Sequence, residues 1–283
     1  MKLARFTQNG STRIGKVVGD HVVDLTPVVG DLSMRQVIAD LAALSAAIKA
    51  FEGTSYPLSS VRLEIPVDDP QKFLAIGMNY AKHAEEARQA GITIPTSQMW
   101  FNKQVSCLNA PFDPVVKPKD SDKVDYEIEL GLVIGKQCRH VTREQARSVI
   151  AGYMIVNDVS ARDWLPKSPT FTLGKSFDTH GPVGPWITTD DEIADPLDLE
   201  MKLWVNGELR QNARTNDMIY DIYDQIAYLT TVMTLMPGDI IATGTPSGIG
   251  APKGIFLQPG DDMRLSIQGL GEIACTVVAE DHA

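Results

Sequence analysis

The sequence predicts a strand-rich α+β fold, with a small α/β domain over residues 1–68 and a larger domain over residues 69–283. Two observations lead to this prediction. From residue 72 onward, short apolar runs bounded by glycine and proline outnumber helical stretches, and they do not alternate with helices as βαβ units do. No repeat of fixed period occurs. The chain has 283 residues, of which 43% are hydrophobic and 22% charged, so it can bury a sizeable core.

The first domain is predicted to combine a small sheet with helices. Residues 2–26 contain short β-like runs, with a turn at Gly19-Asp20. Apolar residues then recur at helical spacing, at Met34, Val37, Ile38, Leu41 and Ile48. Prolines at positions 57, 66 and 70 interrupt any further helix, so we expect the domain boundary in this stretch.

The larger domain contains three predicted helices. One runs from about Tyr80 to Ala90, and a second starts at Thr142, where Gln145 three residues later completes a capping-box pattern. A third spans roughly Asp217 to Leu235 and stops before Pro237-Gly238. Its predicted apolar stripe consists of Ile219, Ile222, Ile226, Leu229 and Met233.

Two hairpins are predicted between strands of the larger domain. Asn206-Gly207 lies between two strand-like runs, and this dipeptide favours the tight turn whose two central residues both have positive φ. Gly269-Leu270-Gly271 predicts a second hairpin near the end of the chain. Antiparallel neighbours joined in this way support a sheet that is mostly not built from βαβ units.

Charge and cysteine content exclude several classes of protein. The formal net charge of −10 argues against a nucleic-acid partner, which usually binds basic patches. Polar residues follow the first six, so neither a signal peptide nor a membrane span is predicted, and we expect a cytoplasmic protein. The three cysteines are far apart and odd in number, which indicates reduced, buried thiols rather than disulfides or a zinc site.

Acidic residues on one strand suggest a cation site. Glu127 and Glu129 project from the same face, and Asp158 ends a later apolar run that is typical of a buried strand. An antiparallel strand with one solvated face would show the same alternation, and this alternative stays open. Gly131 and Val133 continue the face of the two glutamates, which fits a covered face better. Buried carboxylates placed together repel one another unless a cation neutralises them.

Three further segments carry candidate chemistry. His83 and Glu86 share one helix face, so the carboxylate can orient the imidazole, although a surface ion pair has the same spacing. Lys175 stands among apolar residues, either as a stem that reaches solvent or as a charge near an anionic site. A phosphate-binding loop is excluded there, because Pro169 occupies the position of the required first glycine. The Gly- and Thr-rich segment 238–250 could bind a substrate carboxylate through its amides and hydroxyls.

Taken together, these segments resemble the fumarylacetoacetate hydrolase family. The matching segments occur in the family's order within residues 72–280, namely Asn79 to Glu86, Asp125 to Glu129, Asn157 to Asp163, Leu173 to Asp178 and Gly238 to Gly248. The chain is more similar to the short bacterial-type and acylpyruvase-like members than to fumarylacetoacetase itself, because Leu165 stands where that branch carries a polar residue. The resemblance implies a mixed β-sandwich or β-roll catalytic domain and a homodimer.

The resemblance also implies roles for individual residues. Glu127, Glu129 and Asp158 would bind magnesium or manganese, or calcium in a crystal, and Asp125 would lie nearby without being a ligand. Oxygen ligands suit such hard cations. The catalytic residues would be His83, Glu86 and Lys175, and the substrate-binding residues Tyr80, Arg162 and Thr245.

The implied reaction is hydrolysis of a C–C bond in a 2,4-dioxo acid, such as an acylpyruvate or a diketo-deoxy sugar acid. Water activated by His83 attacks the distal carbonyl, while the metal stabilises the enolate and a 2-oxo acid such as pyruvate is released. Alternatives on the same metal site are oxaloacetate decarboxylation, hydroxymuconate-type isomerisation and ureidoglycolate lyase activity. A non-catalytic domain with an enclosed structural cation is the alternative from another class. The only partners predicted are a small-molecule substrate and a second copy of the chain.

Overall fold

The computed structural model describes residues 1–89, 91 and 93–281. The leading segment forms short strands and helices, as predicted, with the turn at Gly19-Asp20 between the second and third strands. Its strands are β1 (Lys2–Gln8), β2 (Ser11–Val18), β3 (His21–Asp24), β4 (Ser55–Pro57) and β5 (Arg62–Leu63). Its helices are α1 (Thr26–Val29), α2 (Met34–Ala39) and α3 (Leu41–Ala50).

The rest of the chain is dominated by strands, and the predicted strand-rich α+β fold is confirmed. The strands are β6 (Phe73–Gly77), β7 (Met99–Lys103), β8 (Leu108–Asn109), β9 (Val115–Lys117), β10 (Val124–Asp125), β11 (Ile128–Ile134), β12 (Ile150–Asn157), β13 (Ser160–Ala161), β14 (Gly181–Thr189), β15 (Glu200–Val205), β16 (Glu208–Arg214), β17 (Ile240–Ala242), β18 (Asp262–Ile267) and β19 (Gly271–Ala279). The helices are α4 (Ala81–Gln89), α5 (Arg143–Ala146) and α6 (Ile222–Val232).

Two mixed sheets enclose the main core. The larger has the strand order β4-β3-β2-β1-β14-β12-β11-β17-β6-β7, with β5 beside β1 and β8 beside β14. The second has the order β16-β15-β18-β19-β9, and β10 pairs separately with β13. Apolar residues of β11, such as Leu130 and Leu132, pack in one cluster with Leu203 and Leu265 of the second sheet. Burial of this apolar surface is the main stabilising contribution to the fold.

The leading segment continues the large sheet. Lys2 and Leu3 of β1 pair with Thr188 and Ile187 of β14. Apolar residues of α2 and α3 pack in one cluster with residues of β12 and β14 on the opposite face of that sheet. The division of the chain at residue 68 therefore stays a proposal, because the two parts share a sheet and a core.

The third predicted helix is shorter than expected at both ends, and the prediction for Ile219 was wrong. The helix begins after Asp221, whose side chain accepts hydrogen bonds from the amides of Tyr223 and Asp224. The preceding residues are held in an irregular path by Asn79, whose backbone carbonyl accepts from the Ile219 amide. Ile219 is consequently 44% exposed instead of belonging to the buried stripe. Tertiary hydrogen bonds here outweigh helical periodicity.

The other local predictions agree with the structure. Thr142 and Gln145 form the capping box of α5, and Asn206 and Gly207 have φ values of 52° and 78° in the turn between β15 and β16. The second hairpin joins β18 to β19. Helix α4 ends at Gln89, and the predicted last residue Ala90 lies outside the described residues.

The cysteine prediction also agrees, since Cys107, Cys138 and Cys275 are free and buried. In the part of the chain that the structure describes, no helix has both the length and the apolar character needed to cross a membrane.

One buried histidine couples the fold to pH. The His180 ring is fully buried, Nε2 lies 3.0 Å from the Val116 carbonyl oxygen to which it donates, and Nδ1 has no hydrogen-bond partner. Burial lowers the pKa of His180 from 6.5 to about 4, since an imidazolium there would lose its hydration. His180 is therefore neutral in the folded protein at pH 7.

We expect the free energy of unfolding to fall as the pH drops from 6.5 towards 4. The unfolded chain binds the His180 proton below pH 6.5, whereas the folded chain binds it only near pH 4, so stability is present above 6.5 and is lost between the two values. The loss from this group between pH 7 and pH 5 is about 2 kcal/mol. Urea unfolding at both pH values measures it.

His180→Gln keeps a donor for the Val116 carbonyl but cannot titrate, so its stability should depend less on pH. The matched control is His21→Gln, because His21 is a half-exposed histidine on the surface. An unchanged pH dependence in His180→Gln would contradict the assignment.

Candidate metal centre and active site

Three carboxylates meet where β11 lies beside β12. Glu127 precedes β11, Glu129 lies within it, and Asp158 directly follows β12. The pairing of Glu129 with Val156 and the hydrogen bond from the Asp158 amide to the Glu127 carbonyl set the register. One carboxylate oxygen from each residue lies within 4.8 Å of the other two, and all three residues are buried. The alternative of a solvated strand face is therefore wrong.

Two lysines and an arginine surround these carboxylates. Lys175 Nζ lies 2.7 Å from Glu127 Oε2 and 2.6 Å from Asp158 Oδ2. Lys103 Nζ lies 2.7 Å from Asp158 Oδ1, and Arg162 Nη2 lies 2.6 Å from Glu127 Oε1. Both lysines are almost fully buried, so the Lys175 stem does not reach solvent. Ion pairs of this kind make burial of the carboxylates possible.

The cations are shared unequally between the two glutamates. Burial acts to raise the pKa of Glu127, but Lys175 and Arg162 outweigh it and hold that pKa at about 2. The pKa of Glu129 is raised well above its usual value by burial and by the charges of Asp158 and Glu127. Its Oε2 accepts a hydrogen bond from the Gly244 amide at 2.7 Å. Glu129 is thus the carboxylate with most to gain from an added cation.

The donor set fits a divalent cation that prefers oxygen. All three side chains offer carboxylate oxygens, with neither thiolate nor imidazole among them. Asp158 Oδ1 is buried and forms no hydrogen bond of good geometry, despite the nearby Lys103 ammonium. A buried acceptor without a hydrogen bond is uncommon and suits a metal ligand.

Asp125 has a different position from the three carboxylates. It accepts hydrogen bonds from the amides of Gly250 and Ala251, and its Oδ2 lies 2.8 Å from an Arg162 nitrogen. The chain approaches closely here, because a Cβ added at Gly250 would lie 1.9 Å from the Ile255 carbonyl oxygen. Asp125 thereby anchors the loop after β17 and orients Arg162 towards Glu127.

His83 and Glu86 lie on α4, beside the carboxylates. His83 is buried, and its Nδ1 lies 3.4 Å from Glu86 Oε2. Burial lowers the pKa of His83, while the charges of Glu127 and Glu86 oppose the shift only in part. A neutral imidazole oriented by a carboxylate is suited to accept a proton. Because His83 is buried, the alternative of a surface ion pair is wrong.

A cavity of about 130 Å³ joins these groups. Its polar lining consists of His83, Glu127, Glu129, Arg162, Lys175 and Thr245. The structure therefore brings together most residues that the sequence singled out from five separate segments. A small cavity with converging polar groups is typical of a ligand site.

Thr245 and Tyr80 differ in their relation to this cavity. The Thr245 hydroxyl donates to the Ile128 carbonyl at 2.9 Å and accepts from Gln211 at 2.8 Å, although the residue lines the cavity. Tyr80 is fully buried, and its hydroxyl lies 3.1 Å from the Met201 sulfur. It is not among the residues of the cavity wall, so its position does not support the predicted substrate contact.

Two residues of the site carried no predicted role. Lys103 ends the apolar strand β7, and its ammonium also donates to the carbonyls of Val159 and Lys175. Lys103 shares the buried face of β7 with Phe101, and this strand alternation is the sequence signal that could have identified it. Gln211 is fully buried in β16 and binds the Ile128 amide, but its polar neighbours in sequence offer no such signal.

Comparison with known proteins gives concordant matches. The family model described as "Fumarylacetoacetate (FAA) hydrolase C-terminal" matches residues 72–278. The chain is 42% identical over 276 residues to 2,4-didehydro-3-deoxy-L-rhamnonate hydrolase of Sphingomonas sp. (strain SKA58), covering 96% of this chain and 94% of that protein.

Solved structures agree over nearly the whole chain. Maleylpyruvate hydrolase from Sphingobium sp. SYK-6, in complex with manganese (II) ion and pyruvate, has a TM-score of 0.86 and 41% identity, covering 99% of this chain and 100% of that one. Fumarylacetoacetate hydrolase from Exiguobacterium antarcticum has a TM-score of 0.85 and 37% identity, with the same coverage.

We expect manganese to stabilise the protein through the three carboxylates. At a free concentration 100 times the dissociation constant, the free energy of unfolding should rise by about 2.7 kcal/mol. Glu129→Gln removes one anionic ligand and should lose most of this gain. Without metal, the same variant should be at least as stable as the native protein, because burial and the charges of Asp158 and Glu127 already disfavour the ionised form of Glu129. Thermal unfolding with and without manganese measures both effects.

The matched control is Glu52→Gln, since Glu52 is exposed and remote from the site. It should respond to manganese as the native protein does. Full metal stabilisation of Glu129→Gln would place the cation elsewhere.

Proposed function

The chain belongs to the fumarylacetoacetate hydrolase family, among its short bacterial-type members, and on that premise we propose a hydrolase that cleaves a C–C bond in a 2,4-dioxo acid. The substrate is of the acylpyruvate or diketo-deoxy sugar acid type, and pyruvate or a similar 2-oxo acid is released. One observation carries the proposal: a cluster of three buried carboxylates lies against a small cavity, and two of them, Glu127 and Glu129, line it together with a neutral histidine. This combination can hold a cation and activate water side by side.

Glu127, Glu129 and Asp158 are the proposed metal ligands. The cation that they hold would polarise the 2-oxo group of the substrate and offset the negative charge that develops there. Manganese accompanies pyruvate in the maleylpyruvate hydrolase, and the oxygen donor set suits magnesium equally. Lys175 contributes a second positive charge, because its ammonium already contacts two of the three carboxylates.

His83 acts as the general base in this proposal. A hydrogen bond from Nδ1 to Glu86 leaves the Nε2 lone pair free to accept a proton from water. The water oxygen bonds to the distal carbonyl carbon, and the C–C bond to the methylene group breaks. One product is a carboxylic acid, and the other becomes the 2-oxo acid once its methylene carbon takes up a proton. Besides the cation, these steps need only water and the side chains of the site, and no oxidant or reductant.

Arg162 and Thr245 complete the proposed substrate contacts. Arg162 lines the cavity and is oriented by Asp125 and Glu127, so its guanidinium presents a fixed positive charge. Thr245 contributes once its hydroxyl exchanges the hydrogen bond to the Ile128 carbonyl for one to the substrate. A homodimer remains a prediction from the resemblance, and a cytoplasmic location remains a prediction from the polar residues near the start of the sequence.

Decarboxylation, isomerisation and lyase activity are the alternatives on the same metal site. Decarboxylation of a 2-oxo acid requires the cation but no attacking water, so it does not depend on a general base at His83. A purely structural cation has no use for a cavity beside it. His83 and Lys175 line that cavity together with two of the proposed ligands, which favours a catalytic site.

We expect His83→Ala to lose activity and to keep the metal. Loss of a general base typically lowers the rate about 10²- to 10⁴-fold. Manganese affinity, measured by calorimetry, should be close to that of the native protein because His83 is not a proposed ligand. Pyruvate release from an acylpyruvate measures turnover, and His21→Ala is the control. Undiminished turnover would remove His83 from the mechanism, and undiminished oxaloacetate decarboxylation alone would favour that alternative.

The pH profile tests the pairing of His83 with Glu86. Since burial lowers the pKa of His83, the acidic decline of kcat/KM should lie below the ordinary histidine value of 6.5. Glu86 opposes that shift, so Glu86→Gln should move the decline to still lower pH. Kinetics between pH 4.5 and 8 with saturating manganese would show both effects. A shift towards higher pH in Glu86→Gln would contradict the pairing.

A further inference from the structure

We propose that Gln211 is a positioning residue of the active site, which holds the Thr245 hydroxyl where it can donate a hydrogen bond to the substrate carboxylate. The inference rests on the proposed function in one respect, namely that a 2-oxo acid binds in the cavity that Thr245 lines. Gln211 is not one of the described residues that line this cavity, and it reaches the site from β16 of the second sheet.

The hydrogen bonds of Gln211 define which atom of its amide donates. The oxygen Oε1 accepts from the backbone amide of Ile128 at 3.0 Å, a group that can only donate. The nitrogen Nε2 lies 2.8 Å from the carbonyl oxygen of Pro246, which can only accept. Nε2 therefore donates one hydrogen to Pro246 and the other to the hydroxyl oxygen of Thr245, also 2.8 Å away. Gln211 is fully buried, so its three hydrogen bonds are shielded from solvent.

These bonds fix the oxygen of Thr245 but leave its hydroxyl hydrogen free to turn. Thr245 Oγ1 accepts from Gln211 and donates its own hydrogen to the Ile128 carbonyl at 2.9 Å. When that hydrogen turns towards a substrate carboxylate, the bond from Gln211 stays and the oxygen keeps its place. Donation by Gln211 also polarises the hydroxyl and makes it a stronger donor. Gln211 thus lowers the cost of the exchange that the proposed substrate contact requires.

Side chains take over from a strand at this edge of β11. Pairing of β11 with β17 ends at Gly131. Ile128 lies beyond that ladder, and there its backbone amide donates to Gln211 while its carbonyl accepts from Thr245. Since Ile128 stands directly between two of the proposed metal ligands, both side chains are fixed relative to the cation site.

The loop after β17 also lies close against the backbone of β16. A Cβ added at Gly248 would lie 2.1 Å from the carbonyl oxygen of Arg210, the residue before Gln211. Gly248 has a φ of 102°, a conformation that side-chain-bearing residues rarely adopt. The close approach of the two backbones holds Gln211 within hydrogen-bond distance of Thr245.

A double-mutant cycle separates this positioning role from general support of the fold. Gln211→Met keeps a similar length without the amide and should raise KM for an acylpyruvate about 10-fold, an order set by weakening one hydrogen bond to a charged group. kcat should change less than about 3-fold, because the contact is made equally in the ground state and the transition state. Thr245→Val removes the hydroxyl, so in that background Gln211→Met should raise KM less than about 2-fold. An equal increase in both backgrounds would overturn the proposal.

The matched control is Gln137→Met, since Gln137 is exposed and follows the opposite end of β11. It should leave KM as it is in the native protein.

Gln211→Glu is a second variant that preserves the contact with β11. It keeps an oxygen for the Ile128 amide but replaces the donor to Thr245 with an acceptor. The hydroxyl hydrogen of Thr245 is then drawn to that carboxylate instead of the substrate, so KM should rise at least as much as in Gln211→Met. A native KM in folded Gln211→Glu would overturn the proposal. Loss of the folded state in both variants, judged by circular dichroism, would assign Gln211 to the fold and overturn its role in positioning.

A binding measurement separates this inference from the proposed reaction. Calorimetry of the manganese-loaded proteins with pyruvate requires no bond cleavage. Weaker binding of pyruvate to Gln211→Met than to the native protein would support the role of Gln211, even if the native protein cleaves no acylpyruvate and the hydrolase activity is refuted. Equal binding to the two proteins, or no binding to the native protein, would refute the role of Gln211 whether or not an acylpyruvate is cleaved.

Discussion

The structure depends on the burial of four carboxylates in one small region. Isolated carboxylates in a protein interior are strongly unfavourable, and adjacent ones repel each other. Lys103, Arg162 and Lys175 reach the cluster from three different segments. Burial of the carboxylates without these cations would cost free energy, so the segments that carry the cations and the carboxylates must fold together. The charge cluster therefore links strand pairing, loop conformation and the site in one arrangement.

Strand β11 is the element on which that arrangement is built. Its neighbours β12 and β17 lie on either side, so Glu129 is held between the strand that Asp158 directly follows and the strand that leads to Gly244. A Cβ at Gly131 would lie 2.6 Å from the Val156 side chain, which shows how closely this face is packed. One face of the strand completes the core between the sheets, and the other presents the carboxylates.

The same arrangement connects charge to chemistry. Lys175 and Arg162 neutralise the charge of Glu127 and lower its pKa. The pKa of Glu129 stays raised, and Asp158 Oδ1 forms no hydrogen bond of good geometry. The site is thus incompletely neutralised by the protein alone. A divalent cation bound to the three carboxylates would complete the balance, which connects these buried charges to the proposed activity.

The sequence alone determined the class of fold, the capped helix at Thr142 and both hairpins, because these follow from local periodicity and turn chemistry. The segments that form the site were identified by the resemblance to the family. Only the tertiary structure decided the features that depend on contacts between residues distant in sequence. The hydrogen bonds of Asn79 and the Asp221 cap shortened α6 and exposed Ile219. The Tyr80 hydroxyl contacts the Met201 sulfur, and Tyr80 does not line the cavity. Lys103 acquired its role only through Asp158, 55 positions away in the chain. Local propensities do not encode such contacts, since each requires two segments that fold together.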